Sequence, residues 1–194
     1  MMKNSNIQKL FDESSKIIQN SKILESQINS SISLITKSLK NKKKIIIFGN
    51  GGSAADAQHM AGELIGRYLL ERNSLSAIAL TTDSSILTAL GNDYGFHNIF
   101  SRQCEGLVKN GDVVIGISTS GNSKNVIQGI SKSKSLGAKI ISLTGKNTSK
   151  MKKYSDILIP VPSNKTPRIQ EAHRTIIHII CEQVEKNLLQ NTKH

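Results

Sequence analysis

The sequence predicts an α/β protein in which a doubly wound, five-stranded parallel sheet lies between two layers of helices, with a long helix near each end of the chain. Short runs of β-branched apolar residues alternate with helix-length segments, as such a three-layer sheet requires. The 194 residues are 37% hydrophobic and 21% charged, which is ordinary globular composition. No linker, repeat or low-complexity tract divides the chain, so we expect one domain over residues 1–194.

The first predicted element is a long amphipathic helix over about residues 5–40. Apolar side chains recur there at steps of mostly three, four or seven residues, which is typical of one helical face. The polar face is rich in Ser, Asn and Lys, and several of these are poor helix formers. We therefore expect packing against other elements, including another subunit, to stabilise this helix, and the pattern is compatible with one break in it.

The sheet core is predicted over about residues 44–160. Its strands are short apolar runs at 45–48, 77–80, 113–117, 139–143 and 156–159. Between them we expect helices at about 54–69, 84–108, 123–136 and 146–153, on both faces of the sheet because crossovers are right-handed. Thr166 and Pro167 are typical of a helix start, and the last helix continues at helical spacing over about 167–189.

The charge of the chain narrows the function classes. Lysine and arginine outnumber aspartate and glutamate by 26 to 14, which gives a formal net charge of +12. Such a charge suggests nucleic acid as a partner, but the lysines are scattered and only 4% of residues are aromatic, with no Trp to stack on bases. We therefore expect no nucleic-acid partner, and the charge suits small anionic substrates.

Hydropathy and cysteine content indicate where the protein works. No apolar run approaches the roughly 18 residues of a membrane span, and the first 20 residues are too polar for a signal peptide. We therefore expect a cytoplasmic protein without membrane contact. Cys104 and Cys181 lie outside any CxxC pattern, and we expect both to be small core residues.

Two loops that follow predicted strands are suited to a phosphate. The first, residues 49–53, places three glycines before a helix, where backbone N–H groups can approach an anion. Ser53 and Asp56 have the spacing of a capping box. The same loop matches a dinucleotide fingerprint with Asp83 as the ribose acceptor, but Asp83 lies further along the chain than is usual, which weakens this alternative.

The second loop, residues 118–123, contains four hydroxyls and one glycine immediately before a helix. Hydroxyls and exposed backbone N–H groups suit a terminal phosphate monoester. Taken alone, the same composition is more typical of a turn that ends in a helix cap. A serine hydrolase is a weaker interpretation, because the last glycine of a nucleophile elbow is missing.

Two predicted helices carry side chains that can bind a metal or move protons. His59 and Glu63 are four residues apart and therefore share one helical face. With Gln170 and His178 of the last helix, they offer four nitrogen and oxygen ligands for a divalent ion. Taken alone, His178 is more typical of a core histidine, because four isoleucines flank it.

Five motifs in order resemble the sugar isomerase (SIS) domain family. They are GNGGS at 49–53, DAQH at 56–59 with Glu63, GND at 91–93, STSGNS at 118–123 and RIQEAH at 168–173. The resemblance runs from about residue 5 to 189 and is strongest to the members that isomerise heptose phosphates.

The resemblance implies a flavodoxin-like sheet and the conversion of sedoheptulose 7-phosphate to D-glycero-D-manno-heptose 7-phosphate through an enediol(ate). That step belongs to bacterial heptose biosynthesis, for lipopolysaccharide or capsule. Glu63 is the implied base, with His178 as its acid/base partner. The resemblance further implies a cytoplasmic homotetramer and one zinc ion per subunit, held by His59, Glu63, Gln170 and His178. The implied substrate-binding residues are Asn50, Gly51, Gly52, Ser53, Glu63, Asn92, Asp93, Ser118, Thr119, Ser120, Ser123 and Gln170.

Two alternatives remain within the family. Some members are non-catalytic tetramers that act as interaction proteins, including regulators that bind the bacterial replication initiator, and others isomerise different sugar phosphates. The non-catalytic members tend to replace the acid and the last-helix histidine. The presence of Glu63 and His178 therefore favours an enzyme.

Overall fold

The computed structural model of the protein describes residues 5–147 and 150–189. The sheet within these ranges consists of β1 (Ile45–Gly49), β2 (Ala77–Ala79), β3 (Val113–Ser118), β4 (Lys139–Thr144) and β5 (Ile157–Pro160). All neighbouring strands are parallel, in the order β2-β1-β3-β4-β5, which confirms the predicted sheet. The direction in which strands are added reverses between β1 and β3, and this switch point is where open α/β sheets bind ligands.

Seven α-helices surround the sheet in the described part of the chain. They are α1 (Ser5–Asn20), α2 (Glu25–Lys40), α3 (Gly52–Ile65), α4 (Ser84–Tyr94), α5 (Ile99–Leu107), α6 (Lys124–Ser135) and α7 (Thr166–Leu189). None of the helices in the described ranges combines the length and the apolar character that a membrane span needs. The expectation of one domain over 1–194 includes residues 1–4, 148–149 and 190–194, which lie outside the described residues.

Two of the predicted helices are interrupted in the structure, and the prediction of a third is wrong. The helix expected over 5–40 breaks at a short 3-10 segment, Ser21–Leu24. The helix expected over 84–108 breaks at Gly95, whose φ of 80° is incompatible with an α-helix. The helix expected over 146–153 is wrong: its described residues form only the 3-10 turn Met151–Lys153, because buried Met151 fixes the short connection against the sheet, and residues 148–149 of that span lie outside the described residues.

The sheet is buried on both faces, as the apolar strands predict. Alternate residues of β1 point in opposite directions, so Ile45 and Ile47 pack against α2, α3 and α7, whereas Ile46 and Phe48 pack against α5 and α6. Cys181 lies in the first of these cores and Cys104 in the second, and both are buried. The expectation that both cysteines are core residues is therefore confirmed.

Candidate active site

The two predicted phosphate loops leave neighbouring strands at the switch point of the sheet. Gly49, the last residue of β1, pairs with Ile117 near the end of β3. A reciprocal pair of side-chain amides then joins the two loops, because Asn50 and Asn125 each donate an Nδ2–H to the other's Oδ1 at 2.9 Å. The loops are therefore held side by side above the carboxyl edge of the sheet.

Backbone geometry at the first loop depends on glycine. Gly51 has a φ of 55°, in the left-handed region, and it precedes the first residue of α3. At Gly52 a Cβ would lie 2.4 Å from Nε2 of Gln170, so any side chain there would displace the Gln170 amide. Ser53 is buried in the first turn of α3 and makes no capping bond, so the capping box expected with Asp56 is wrong.

The second loop is a cluster of hydroxyls at the start of α6. Buried Ser118 lies with its Oγ 2.9 Å from the Oγ of Ser123 and 3.4 Å from that of Ser120. Ser123 occupies the N-cap position of α6, but its side chain does not cap the helix. The hydroxyl cluster thus lies at the positive end of the helix dipole, an arrangement that suits an anion.

Three of the four predicted metal ligands converge between α3 and α7. His59 Nε2 lies 2.7 Å from His178 Nε2 and 3.2 Å from Glu63 Oε1. One ligand atom from each of these residues lies within 4.8 Å of the others. His178 is only half-buried, so it is not the core histidine that its isoleucine neighbours favour; that position is taken by His173, which is fully buried.

The surroundings of His59 favour its neutral form. Burial and the neighbouring Arg174 guanidinium lower the pKa of His59. Arg174 in turn donates to Oδ1 of buried Asp56, from Nε at 2.9 Å and from Nη2 at 2.7 Å. Burial nevertheless raises the pKa of Asp56, because it outweighs the attraction of Arg174. A neutral imidazole can accept a proton or ligate a metal, and this is the state that both kinds of chemistry need.

The remaining predicted residues lie around the cluster or apart from it. Gln170 lies two turns before His178 on α7, with its amide against Gly52, and so connects the cluster to the first loop. Thr119 accepts the N–H of Gly145 at its carbonyl oxygen, which ties the second loop to β4. Asn92 and Asp93 lie exposed on α4, and Asn92 Nδ2 donates to Asp93 Oδ1 at 2.8 Å.

Asp83 caps a helix. Its Oδ1 accepts the N–H of Ile86 at 2.9 Å, which is the role of an N-cap residue at the start of α4. Helix capping accounts for Asp83 at this position without a ribose, so Asp83 no longer supports the dinucleotide alternative.

Sequence reasoning missed two polar groups behind the site. One is the Asp56–Arg174 pair, which bridges α3 and α7. The other is Glu185, whose carboxylate is buried near Tyr68, and the Tyr68 ring centroid lies 5.8 Å from that of His178. Glu185 follows His178 by seven residues and so lies on the same face of α7, and this is the signal that points to it.

The donor set fits a zinc ion. Two imidazole nitrogens and one carboxylate oxygen are the ligands of zinc sites that keep a position open for water or substrate. One ligand atom from each residue lies within 4.8 Å of the others, and the lowered pKa of His59 keeps its nitrogen available. The fourth candidate, Gln170, lies on the same face of α7 as His178.

Comparisons with known proteins agree with this geometry. The family model of the SIS domain matches residues 9–145. The chain is 54% identical over 164 residues to a phosphoheptose isomerase of Helicobacter pylori (strain P12), covering 84% of this chain and 85% of that protein. It is 52% identical over 181 residues to a phosphoheptose isomerase of Aquifex aeolicus (strain VF5), covering 93% and 95%. The structure of the phosphoheptose isomerase from Neisseria gonorrhoeae is similar with a TM-score of 0.89 and 42% identity, covering 94% of this chain and 98% of that one.

The chain therefore belongs to the SIS domain family. The relatives that share half of its residues are phosphoheptose isomerases over nearly their whole length, which makes the chain an isomerase of that kind. The expectation of an enzyme is confirmed, and the non-catalytic alternative is not favoured.

Proposed function

We propose that the protein converts sedoheptulose 7-phosphate to D-glycero-D-manno-heptose 7-phosphate, in bacterial heptose biosynthesis for lipopolysaccharide or capsule. The observation that carries this proposal is the convergence of Glu63, His59 and His178 between α3 and α7, in a chain that also has a hydroxyl-lined loop at the start of α6. Aldose–ketose interconversion moves a proton between C1 and C2 through an enediol(ate), and it needs a base near both carbons and a donor at their oxygens.

Glu63 is the proposed base. Its side chain is about a quarter exposed, so it is open to a substrate and near enough to His59 to be oriented by it. Glu63 accepts the proton from one carbon and returns it to the other. His178 donates a proton to the carbonyl oxygen and recovers one from the neighbouring hydroxyl. Its Nε2 lies 2.7 Å from that of His59, so the two rings can form a hydrogen bond when one of these nitrogens carries a proton.

The two loops divide the substrate between them. Ser118, Thr119, Ser120 and Ser123, with the N-terminus of α6, bind the phosphate. Asn50, Gly51, Gly52, Ser53 and Gln170 contact the sugar from the side of α3 and α7. Asn92 and Asp93 complete the proposed set.

One zinc ion per subunit is proposed at His59, Glu63, Gln170 and His178. When bound, the ion polarises the carbonyl and stabilises negative charge on the enediolate oxygens. Glu63 is then both ligand and base, so its carboxylate shares its two oxygens between these tasks. Gln170 is shared in the same way between ion and substrate.

We further propose that the protein is a single-domain, cytoplasmic homotetramer. Supporting observations are exposed apolar side chains on α1, including Ile7, Leu10 and Phe11, and on α4, which buries none of its residues within this chain. Coverage of α4 by another subunit would place Asn92 and Asp93 at a subunit boundary. Light scattering is expected to give four times the 21.2 kDa chain mass, and a monomer at working concentration contradicts the proposal.

Turnover is the test of the function. Purified protein is incubated with sedoheptulose 7-phosphate and the product is followed by anomer-resolved NMR, first as isolated, then after chelation and after added Zn²⁺. We expect the aldoheptose 7-phosphate, and we expect chelation to slow its formation. A folded tetramer that forms no product under any of these conditions contradicts the proposed substrate.

A further inference from the structure

The carboxylate of Glu185 is buried two turns beyond His178 on α7. It accepts three consecutive backbone N–H groups, those of Tyr68 at 3.0 Å, Leu69 at 2.8 Å and Leu70 at 2.6 Å. It also accepts Nε–H of Arg72 at 2.9 Å. The side chain of Glu185 is 1% exposed and that of Arg72 is 4% exposed, so this is a desolvated ion pair with its acceptor oxygens fully used.

Arg72 continues the contact to the helix that carries Glu63. Its Nη2 donates to the carbonyl oxygen of Glu63 at 2.8 Å, and its Nη1 donates to that of Leu64 at 2.9 Å and that of Gly66 at 3.1 Å. These carbonyls belong to the last turn of α3 and the residue after it, where no intrahelical donors remain. The planar guanidinium therefore caps α3 while its opposite edge holds Glu185.

We propose that Glu185 and Arg72 form a positioning pair that fixes the separation of Glu63 and His178 and keeps Tyr68 against His178. The proposal rests on the proposed function, since it assigns these two residues the task of aligning the base with its acid/base partner. Neither residue of the pair reaches the substrate side of the cluster, so both act through other groups.

The need for such a pair follows from the fold. Glu63 and His178 lie on different helices, and Glu185 of α7 binds the segment that follows α3. This segment exposes most of its side chains, including Leu69 and Leu70, and only Tyr68 and Leu75 of its hydrophobic residues pack against the core. Hydrophobic packing therefore contributes little to its order. A displacement of about 1 Å in a reacting group costs on the order of a hundredfold in rate, so a rigid polar link has a direct catalytic consequence.

Electrostatics indicate that Glu185 is ionised when the protein is folded. Burial raises the pKa of its carboxyl, but the three backbone N–H groups and Arg72 together outweigh burial and leave the pKa below its usual value. An ionised carboxylate accepts all four of these bonds, whereas the neutral amide of a glutamine presents one acceptor oxygen.

Asp112 provides a matched control away from the two loops. Its carboxylate is also buried, and it accepts the backbone N–H of Lys44 at 3.1 Å and of Lys109 at 2.8 Å and pairs with the Lys44 ammonium. The two carboxylates share chemistry and burial, but Asp112 precedes β3 and so lies away from the loops that form the site. Asp112→Asn and Glu185→Gln are therefore expected to destabilise the fold alike.

The experiment compares these two variants with the wild-type protein at a temperature where all are folded. For Glu185→Gln we expect kcat to fall about tenfold or more, with KM changed by less than about threefold, because alignment acts on the reacting groups and not on the phosphate. We also expect faster hydrogen exchange at the amides of residues 68–70 and about tenfold or more weaker Zn²⁺ binding, measured by chelator competition. Asp112→Asn is expected to keep kcat within about twofold.

Arg72→Lys separates the two halves of the pair. Lysine retains the charge for Glu185 but lacks the planar fork that reaches the carbonyls of α3. We expect it to lower kcat as Glu185→Gln does, and this milder variant also serves if Glu185→Gln does not fold. The proposal is overturned if both variants keep wild-type kcat, or if Asp112→Asn loses as much kcat at an equal loss of stability.

The exchange and Zn²⁺ measurements do not depend on the substrate. If the wild-type protein does not convert sedoheptulose 7-phosphate, the proposed function fails while these two measurements still decide whether the pair holds the segment and the metal ligands. Unchanged exchange at residues 68–70 and unchanged Zn²⁺ binding in Glu185→Gln overturn the positioning role by themselves.

Discussion

The two faces of the sheet bury different kinds of side chain. On the face covered by α3 and α7, the helices bury ionisable groups, namely Asp56, His173 and Glu185. On the opposite face, α5 and α6 bury amides and hydroxyls besides hydrocarbon, namely Gln103, Asn125 and Ser133. Burying an ionisable group costs free energy unless it is paired, whereas a small amide or hydroxyl is easily satisfied. The face on which burial of polar groups costs more free energy is the face that carries the catalytic cluster.

We therefore expect catalytic activity to depend on the face covered by α3 and α7, and the opposite face to contribute mainly stability. The variant Glu63→Gln tests the expectation for the α3/α7 face most strongly. We expect kcat to fall by about a hundred- to ten-thousandfold, the range of a general base, because an amide cannot take the proton. The unfolding temperature is expected to stay near the wild-type value, since Glu63 is partly exposed and, among the described residues, forms an ion pair only with His59. NMR turnover and thermal unfolding measure the two quantities.

Glu71→Gln is the control for this variant. Glu71 is exposed on the segment after α3, and its contact with Arg67 is a solvated ion pair of small worth. It is expected to leave kcat unchanged. Near-normal turnover in Glu63→Gln removes Glu63 as the base and breaks the assignment of activity to this face.

The sequence predicted the strands, both loops and the pairing of α3 with α7, because these follow from hydrophobic period and from residue types with distinct chemistry. Without the family resemblance, it did not distinguish His173 from His178: the isoleucines around His178 favoured that histidine as the buried one, whereas His173 has mostly polar neighbours in sequence. Which of them enters the core depends on where β4 lies, because Thr144 at its end accepts from the buried imidazole. Glu185 was equally hidden, since its partners are backbone N–H groups of a segment distant in sequence.

His173 gives the next largest expected effect, and it concerns stability on the catalytic face. Its Nε2 lies 3.1 Å from the carbonyl oxygen of Thr144, and its Nδ1 has no hydrogen-bond partner among the described residues. Burial lowers the pKa of His173 from 6.5 to about 4, which the bond to Thr144 offsets only in part. The unfolded chain therefore takes up a proton before the folded protein does, so stability is lost as the pH falls from about 6.5 to about 4.

The expected loss from this one group is about 3 kcal/mol over that interval. Urea unfolding of the wild-type protein and of His173→Gln between pH 7 and pH 4.5 separates it from other titrating groups. The variant is expected to start less stable and to lose less stability on acidification. Parallel curves for the two proteins show that His173 is not the group that titrates.

On the opposite face, Gly129→Ala tests whether tight packing there serves stability alone. A Cβ at Gly129 would lie 2.7 Å from Cζ of Phe48 and 3.0 Å from Cβ of Phe100, whose rings are stacked in the core. Gly106→Ala is the control, since nothing lies within 4 Å of its added Cβ. We expect the first variant to be less stable than the second by about 1–3 kcal/mol, the cost of overpacking, while both keep wild-type kcat. A large loss of kcat in folded Gly129→Ala contradicts the separation of the faces.

The smallest expected effect lies where the two faces meet, at the second loop. Ser120 is exposed, and its Oγ accepts the N–H of Asn122 at 3.2 Å, so Ser120→Ala removes one hydroxyl without opening the core. One neutral hydrogen bond to the phosphate is worth about 0.5–1.5 kcal/mol, or about two- to thirteenfold in KM, and is made equally in the ground and transition states. We therefore expect a raised KM with kcat nearly unchanged, and Ser30→Ala, at an exposed position of α2, is expected to change neither. An unchanged KM in Ser120→Ala would contradict phosphate binding at the second loop. The glycine loop at α3 would then be the candidate phosphate site, on the same face as Glu63 and His178.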